Sequence, residues 1–110
     1  MSNKSFIVVW AKNAANDLEA IVSYISETNL NEAFEIYSEI KDAASELNHF
    51  PTRGRFVPEL EKYGIKIYRE IIVKVWRILF RIEKNTVYII TVFDSRRNFE
   101  DILLERLLKN

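Results

Sequence analysis

Arginines stand inside strand sequence in the second half of this chain, and any fold must find a place for them. Trp76-Arg77-Ile78-Leu79-Phe80-Arg81-Ile82 leads through a short turn into Val87-Tyr88-Ile89-Ile90-Thr91-Val92-Phe93-Asp94-Ser95-Arg96-Arg97. The β-branched and aromatic content of both runs marks them as strands. Burying an unpaired cation costs on the order of several kcal/mol. Each guanidinium therefore needs a carboxylate, a solvent-facing position or an anionic ligand.

Side-chain alternation separates the two sets. Arg77, Leu79 and Arg81 share one parity, and Trp76, Ile78, Phe80 and Ile82 share the other. The second set is the better core face, so Arg77 and Arg81 are expected on the opposite, wetter face. Arg69 lies on the preceding strand and is expected to approach Arg77 across the ladder. Arg96 and Arg97 end the last strand and can fold back toward the sheet. Guanidinium groups gathered on one face would bind phosphate through paired hydrogen bonds. The alternative is a set of salt bridges to Glu70, Glu83 and Asp94. Arg81 is read as paired with Glu83, and Arg77 as facing an anion.

Charge distribution motivates that reading. The chain carries 16 basic and 16 acidic residues. Residues 1–52 hold three basic and eight acidic residues, whereas residues 53–97 hold eleven basic and five acidic. A basic middle beside an acidic first half suits an anionic partner, or simply an acidic helical layer against a basic sheet.

The rest of the chain supplies that helical layer. Phe6–Trp10 reads as a first strand. Ala14, Leu18, Ile21, Val22 and Ile25 recur at helical spacing and predict a helix from about Asn13 to Glu27. Thr28–Asn31 breaks the pattern, with Asn29 or Asn31 as the next cap. Ala33, Ile36, Tyr37, Ile40, Ala44 and Leu47 form a second stripe, which ends near His49 before Phe50-Pro51. The short break predicts an antiparallel helical hairpin. Thr52–Gly64, with both glycines and Pro58, is expected to be a surface loop. Strands follow over Ile65–Val73, Val75–Ile82 and Thr86–Phe93, joined by tight turns into an antiparallel meander. Asn98 caps a final helix carrying Ile102, Leu103, Leu104, Leu107 and Leu108. The expected class is α+β, in the order β-α-α-β-β-β-α, with helices covering one face of the sheet. At 110 residues the chain is one domain spanning residues 1–110.

Several chemistries are excluded. There is no cysteine and one histidine, so thiolate metal sites and zinc clusters are not expected. His49, at the end of a stripe, is expected to meet the last helix carbonyls. No glycine loop cradles a phosphate, and no Ser–His nucleophile motif is present. No cofactor or metal is expected. The start, Met1-Ser2-Asn3-Lys4-Ser5, lacks the apolar stretch of a secretory leader, and no apolar run is long enough to span a bilayer. A cytoplasmic location is expected.

An ordered series of short pieces resembles the RelE/ParE superfamily of toxins from bacterial type II toxin–antitoxin modules. It runs from Ala14-Ala15-Asn16-Asp17-Leu18-Glu19-Ala20-Ile21 through Leu47-Asn48-His49-Phe50-Pro51-Thr52-Arg53-Gly54-Arg55 and Pro58-Glu59-Leu60 to Tyr68-Arg69-Glu70, Trp76-Arg77-Ile78-Leu79-Phe80 and Val92-Phe93-Asp94-Ser95-Arg96-Arg97-Asn98. The helical hairpin and the Phe50–Leu60 stretch look more like the ParE branch and its plasmid-stabilisation relatives. The resemblance implies a curved antiparallel sheet with an N-terminal helical hairpin and a C-terminal helix. It also implies a small cytoplasmic toxin neutralised by a cognate antitoxin encoded beside it. RelE-type members cleave mRNA on the ribosome, whereas ParE-type members poison DNA gyrase without being nucleases. On the nuclease branch, Arg77 matches the arginine used against the scissile phosphate, and Arg69 and Arg96 match further basic positions. Glu59 lies near where some ribonuclease members carry a carboxylate general base, so the resemblance makes it the candidate base. Such cleavage also needs an acid for the leaving 5′-oxygen. Asp94 stands where many relatives have histidine, and Phe99 can stack but cannot donate a proton. Nuclease, gyrase inhibitor and an inactive antitoxin-binding relative are the three expectations carried forward.

Overall fold

A computed structural model describes residues 5–108, so the leader reading over residues 1–4 lies outside the described residues. β1 (Ile7–Trp10) leads into α1 (Lys12–Ser26) and α2 (Leu30–Ser45). Asn29 caps α2, accepting the Glu32 N–H at 3.0 Å, as one of the two expected caps. No side chain caps α1. Its start is tied down instead by Ala11, whose N–H donates to Ile89 O at 2.9 Å. A 3₁₀ turn, Glu46–Asn48, extends α2, and the His49 backbone N–H, rather than its ring, meets Glu46 O.

The meander is present as expected: β3 (Tyr68–Val73), β4 (Trp76–Glu83) and β5 (Thr86–Asp94) pair antiparallel. Its two-residue turns place Lys74 and Lys84 at positive φ. Two further strands complete a sheet of order β1-β5-β4-β3-β2. β1 runs parallel to β5, with Ile7 opposite Thr86 and Trp10 opposite Ile89, so the sheet is mixed rather than wholly antiparallel. The expected loop Thr52–Gly64 is largely structured. It contains a 3₁₀ turn (Pro51–Arg53), the two-residue strand β2 (Arg55–Phe56) and a short helix α3 (Pro58–Glu61). Pro58 opens that helix because its missing N–H is not needed in the first turn. At the C-terminal end α4 (Phe99–Ile102), capped by the Asn98 side chain, runs into a π turn, Leu103–Leu107.

Two cores form, one on each face. The hairpin packs Ala14, Leu18, Ile36, Ile40 and Leu47 against Ile71, Ile78, Phe80, Val87, Ile89 and Val92. On the other face Val57 and Leu60 from the α3 segment meet Leu79, Phe93, Phe99 and Ile102. Helices covering a single face was the expectation, and the second layer corrects it. A register shift opposite Leu79 and Phe80 inserts Ile90 as an extra residue in β5. The bulge flips the alternation, so Val92 joins Val87 and Ile89 on the hairpin face while Phe93 faces α4.

Candidate functional site

Arg77 lies on the second face, which the α3 segment and α4 roof over. The expectation of a wetter face is corrected here: Arg77 is 6% exposed. Burial of a cation requires counterions, and two carboxylates provide them. Arg77 Nε donates to Glu70 Oε1 at 2.7 Å. Its two terminal nitrogens donate to the two oxygens of Glu59 at 2.8 Å each. Phe93 and Phe99 flank the guanidinium, with ring centroids 5.2 and 5.3 Å from its central carbon.

The network extends one step further. Glu70, whose side chain is fully buried, gives its second oxygen to Arg55 Nε at 2.7 Å. Arg55, Glu70, Arg77 and Glu59 thus alternate in sign. Among the described residues no buried side-chain nitrogen or oxygen lacks a hydrogen-bond partner. The paired bonds from Arg77 hold the Glu59 carboxyl below its ordinary range, outweighing the burial that would raise it. Burial alone would lower the Arg77 pKa, but the bonds to Glu59 and Glu70 together raise it.

The other candidates do not join this cluster. Arg69 is in register with Phe80 and Arg77 with Ile72, so adjacent registers put the two arginines on opposite faces. The expected approach across the ladder does not occur. Arg69 instead donates to the backbone oxygens of Gly54 at 2.7 Å and Thr52 at 3.3 Å, over the Phe56 ring. Arg96 folds onto Asp94, its Nε and Nη2 donating to the two carboxylate oxygens at 2.9 and 2.5 Å. Those bonds hold the Asp94 carboxyl down at about 2. Arg81 pairs with Glu83 at 2.6 Å, as expected, and Arg97 with Glu105 at 3.2 Å. Seven of the eight arginines therefore have a carboxylate partner, and the eighth is held by carbonyls. A phosphate reaching Arg77 must first displace Glu59.

A second ion pair escaped the sequence reading. Asp17 of α1 accepts from Thr91 Oγ1 at 2.8 Å and from the Val92 N–H at 3.2 Å. Arg106 Nη2, from the C-terminal turn, donates to its other oxygen at 2.6 Å. Pairing across 89 positions leaves no local signal. Glu59 did leave one, because Pro58-Glu59 is the usual opening of a helix and points to a docked turn rather than a loop.

Residues 8–99 match the family model described as the ParE toxin of the type II toxin–antitoxin system parDE. A search of curated protein sequences returns no match. Two solved structures show the same fold. A chain of the chromosomal ParDE toxin–antitoxin system from P. aeruginosa superposes with a TM-score of 0.69 and 18% identity, covering 84% of this chain and 98% of its own. A chain of the toxin–antitoxin complex RelBE2 from Mycobacterium tuberculosis gives 0.57 and 18%, covering 84% and 94%.

Proposed function

Since the chain belongs to the ParE toxin family of type II toxin–antitoxin systems, we propose that it is a cytoplasmic toxin that a cognate antitoxin neutralises and that acts on DNA gyrase without catalysis. The observation that carries the reading is the closed state of the arginine network. Arg77 makes three hydrogen bonds to Glu59 and Glu70 and has almost no exposed surface. RNA cleavage would need Glu59 as a base, yet a general base works best with a pKa near the working pH. Glu59 is shifted the other way and is bound to the cation meant to hold the phosphate. The Asp94 carboxyl, the acid candidate at the end of the last strand, is held down at about 2 by Arg96 and has no proton to give at neutral pH. Arginine remains protonated at neutral pH. A surface acting by contact needs none of these groups.

Inducing the gene alone in a sensitive host tests the reading. The expected result is growth arrest with DNA damage, intact transcripts, and loss of supercoiling by purified gyrase when the protein is added. Transcripts cut at ribosomal A-site codons would overturn it in favour of the nuclease. Unimpeded growth of cells containing the folded protein would favour the antitoxin-binding relative.

A further inference from the structure

Three guanidinium groups gather around one short turn, and their ion pairs do not use up their charge. Gly54 is extended, with φ −73° and ψ 139°. Arg53 and Arg55 therefore leave the backbone on the same side, about 7 Å apart. They line a notch of about 490 Å³ together with Glu70, Ile71 and Ile72. Arg69 donates to Thr52 O and Gly54 O, the carbonyls on either side of Arg53. A carbonyl satisfies the donors but leaves the charge in place. Arg53, 43% exposed, meets Glu46, itself 65% exposed, at 3.4 Å. An exposed pair of that kind holds weakly. Arg55, 58% exposed, spends Nε on Glu70, a carboxylate that Arg77 shares. The rest of each guanidinium fork is left for another acceptor.

The same turn presents Phe50, which is 69% exposed. The Arg53 N–H donates to Phe50 O at 3.1 Å, which fixes the two residues relative to each other. Pro51 between them is buried, and Gly54 is packed so closely on the Phe80 ring that a Cβ there would stand 2.5 Å from it. The turn has little slack. Phe50 and Arg53 also line a second cavity of about 660 Å³, so Arg53 borders both hollows. A single exposed ring is ordinary on a protein surface. A ring one guanidinium away from a cationic notch repeats the pairing that a single-stranded nucleic acid requires, phosphate in a basic groove and base on an aromatic face.

We propose that the Phe50–Arg55 turn grips a single strand of DNA, with one phosphate between Arg53 and Arg55 and the adjoining base on the Phe50 ring. The choice of DNA over RNA rests on the gyrase reading above, since DNA is what that enzyme handles. Glu46 is the carboxylate that the phosphate displaces from Arg53. A duplex fits poorly, because its bases are already stacked on one another and do not reach the ring. An acidic peptide would use the notch and leave the ring idle.

The test follows the fluorescence anisotropy of a labelled oligothymidine titrated with the full chain at low salt. Saturable binding is expected, weaker for a duplex of the same length. Phe50→Leu keeps an apolar side chain without a stacking face and should weaken binding roughly tenfold. Arg53→Gln should weaken it too, and should flatten the slope of log affinity against log salt by about 0.7, the value of one phosphate on a single strand. Glu46→Gln removes the competing carboxylate and should tighten binding by up to about fivefold, a gain that misfolding cannot mimic. All three side chains are exposed. No binding by the unaltered chain, or binding indifferent to the three changes, overturns the grip and leaves gyrase inhibition, read separately as lost supercoiling, where it stands. A duplex bound as tightly as the single strand overturns the stacking on Phe50. Oligouridine bound more tightly than oligothymidine overturns DNA in favour of RNA. Binding that responds to all three changes while purified gyrase supercoils unhindered overturns the gyrase reading, and with it the choice of DNA, but not the grip.

Discussion

Arg77 behaves as a structural cation with two assigned anions. Replacing it leaves Glu70, fully buried, with Arg55 alone. Arg77→Ala is expected to cost about 3–5 kcal/mol, the range for one partner of a buried pair left behind. Urea denaturation measures it. Arg77→Met combined with Glu70→Leu should recover most of that loss, because a well-packed apolar replacement avoids the stranded charge. A loss of toxicity in Arg77→Ala therefore means little unless the variant is shown to be folded. Acid acts on the same chemistry. Glu59 and Asp94 have folded-state pKa values below their ordinary 4.5 and 3.8, Asp94 at about 2. Between those limits the unfolded chain binds more protons, so stability falls as pH falls. Thermal unfolding should show a flat melting temperature above about pH 5 and a decline from about pH 4.5 toward pH 2. A melting temperature that rises over that interval would contradict the assignment of both ion pairs.

At the scale of elements, the crossover between turn and β2 depends on one glycine. A Cβ at Gly54 would lie 2.5 Å from the tip of the Phe80 ring and 3.0 Å from Glu70 O. Phe80 is fully buried against the hairpin, so the ring has little room to yield. Gly54→Ala should cost about 1–3 kcal/mol, the usual range for overpacking. Chemical denaturation checks it, and an unchanged midpoint would show that the ring can move. The two faces of the sheet differed in legibility. The hairpin stripes repeat every three or four residues over long stretches, and their core is visible in sequence. The second face is built from a four-residue α3, a four-residue α4 and single residues of β4 and β5. Elements that short show no period, so Thr52–Gly64 reads as loop. The Ile90 bulge is equally silent, since Val87 to Phe93 alternates acceptably without it.

At the scale of the whole molecule, an ion pair ties α1 near the start of the chain to the C-terminal turn. Asp17 and Arg106 are 10% and 26% exposed, and Asp17 also holds Thr91 and Val92. Asp17→Ala should cost about 2–4 kcal/mol by leaving the Arg106 charge and a strand N–H without their acceptor. It should also free the C-terminal turn, seen as faster proteolysis after Arg106. Asp17→Asn, which keeps an acceptor for Val92, should cost less. Local pattern alone determined the helical hairpin and the three-strand meander and narrowed the α2 cap to Asn29 or Asn31, because these depend on residues within a few positions of one another. It also supplied the pieces that match the family. Tertiary structure alone decided what the arginines do. Alternation places a side chain on a face, but whether that face is wet depends on which distant segment lies over it. Here the α3 segment and α4 cover it, so a cation expected to wait for a phosphate is paired with carboxylates 7 and 18 positions away.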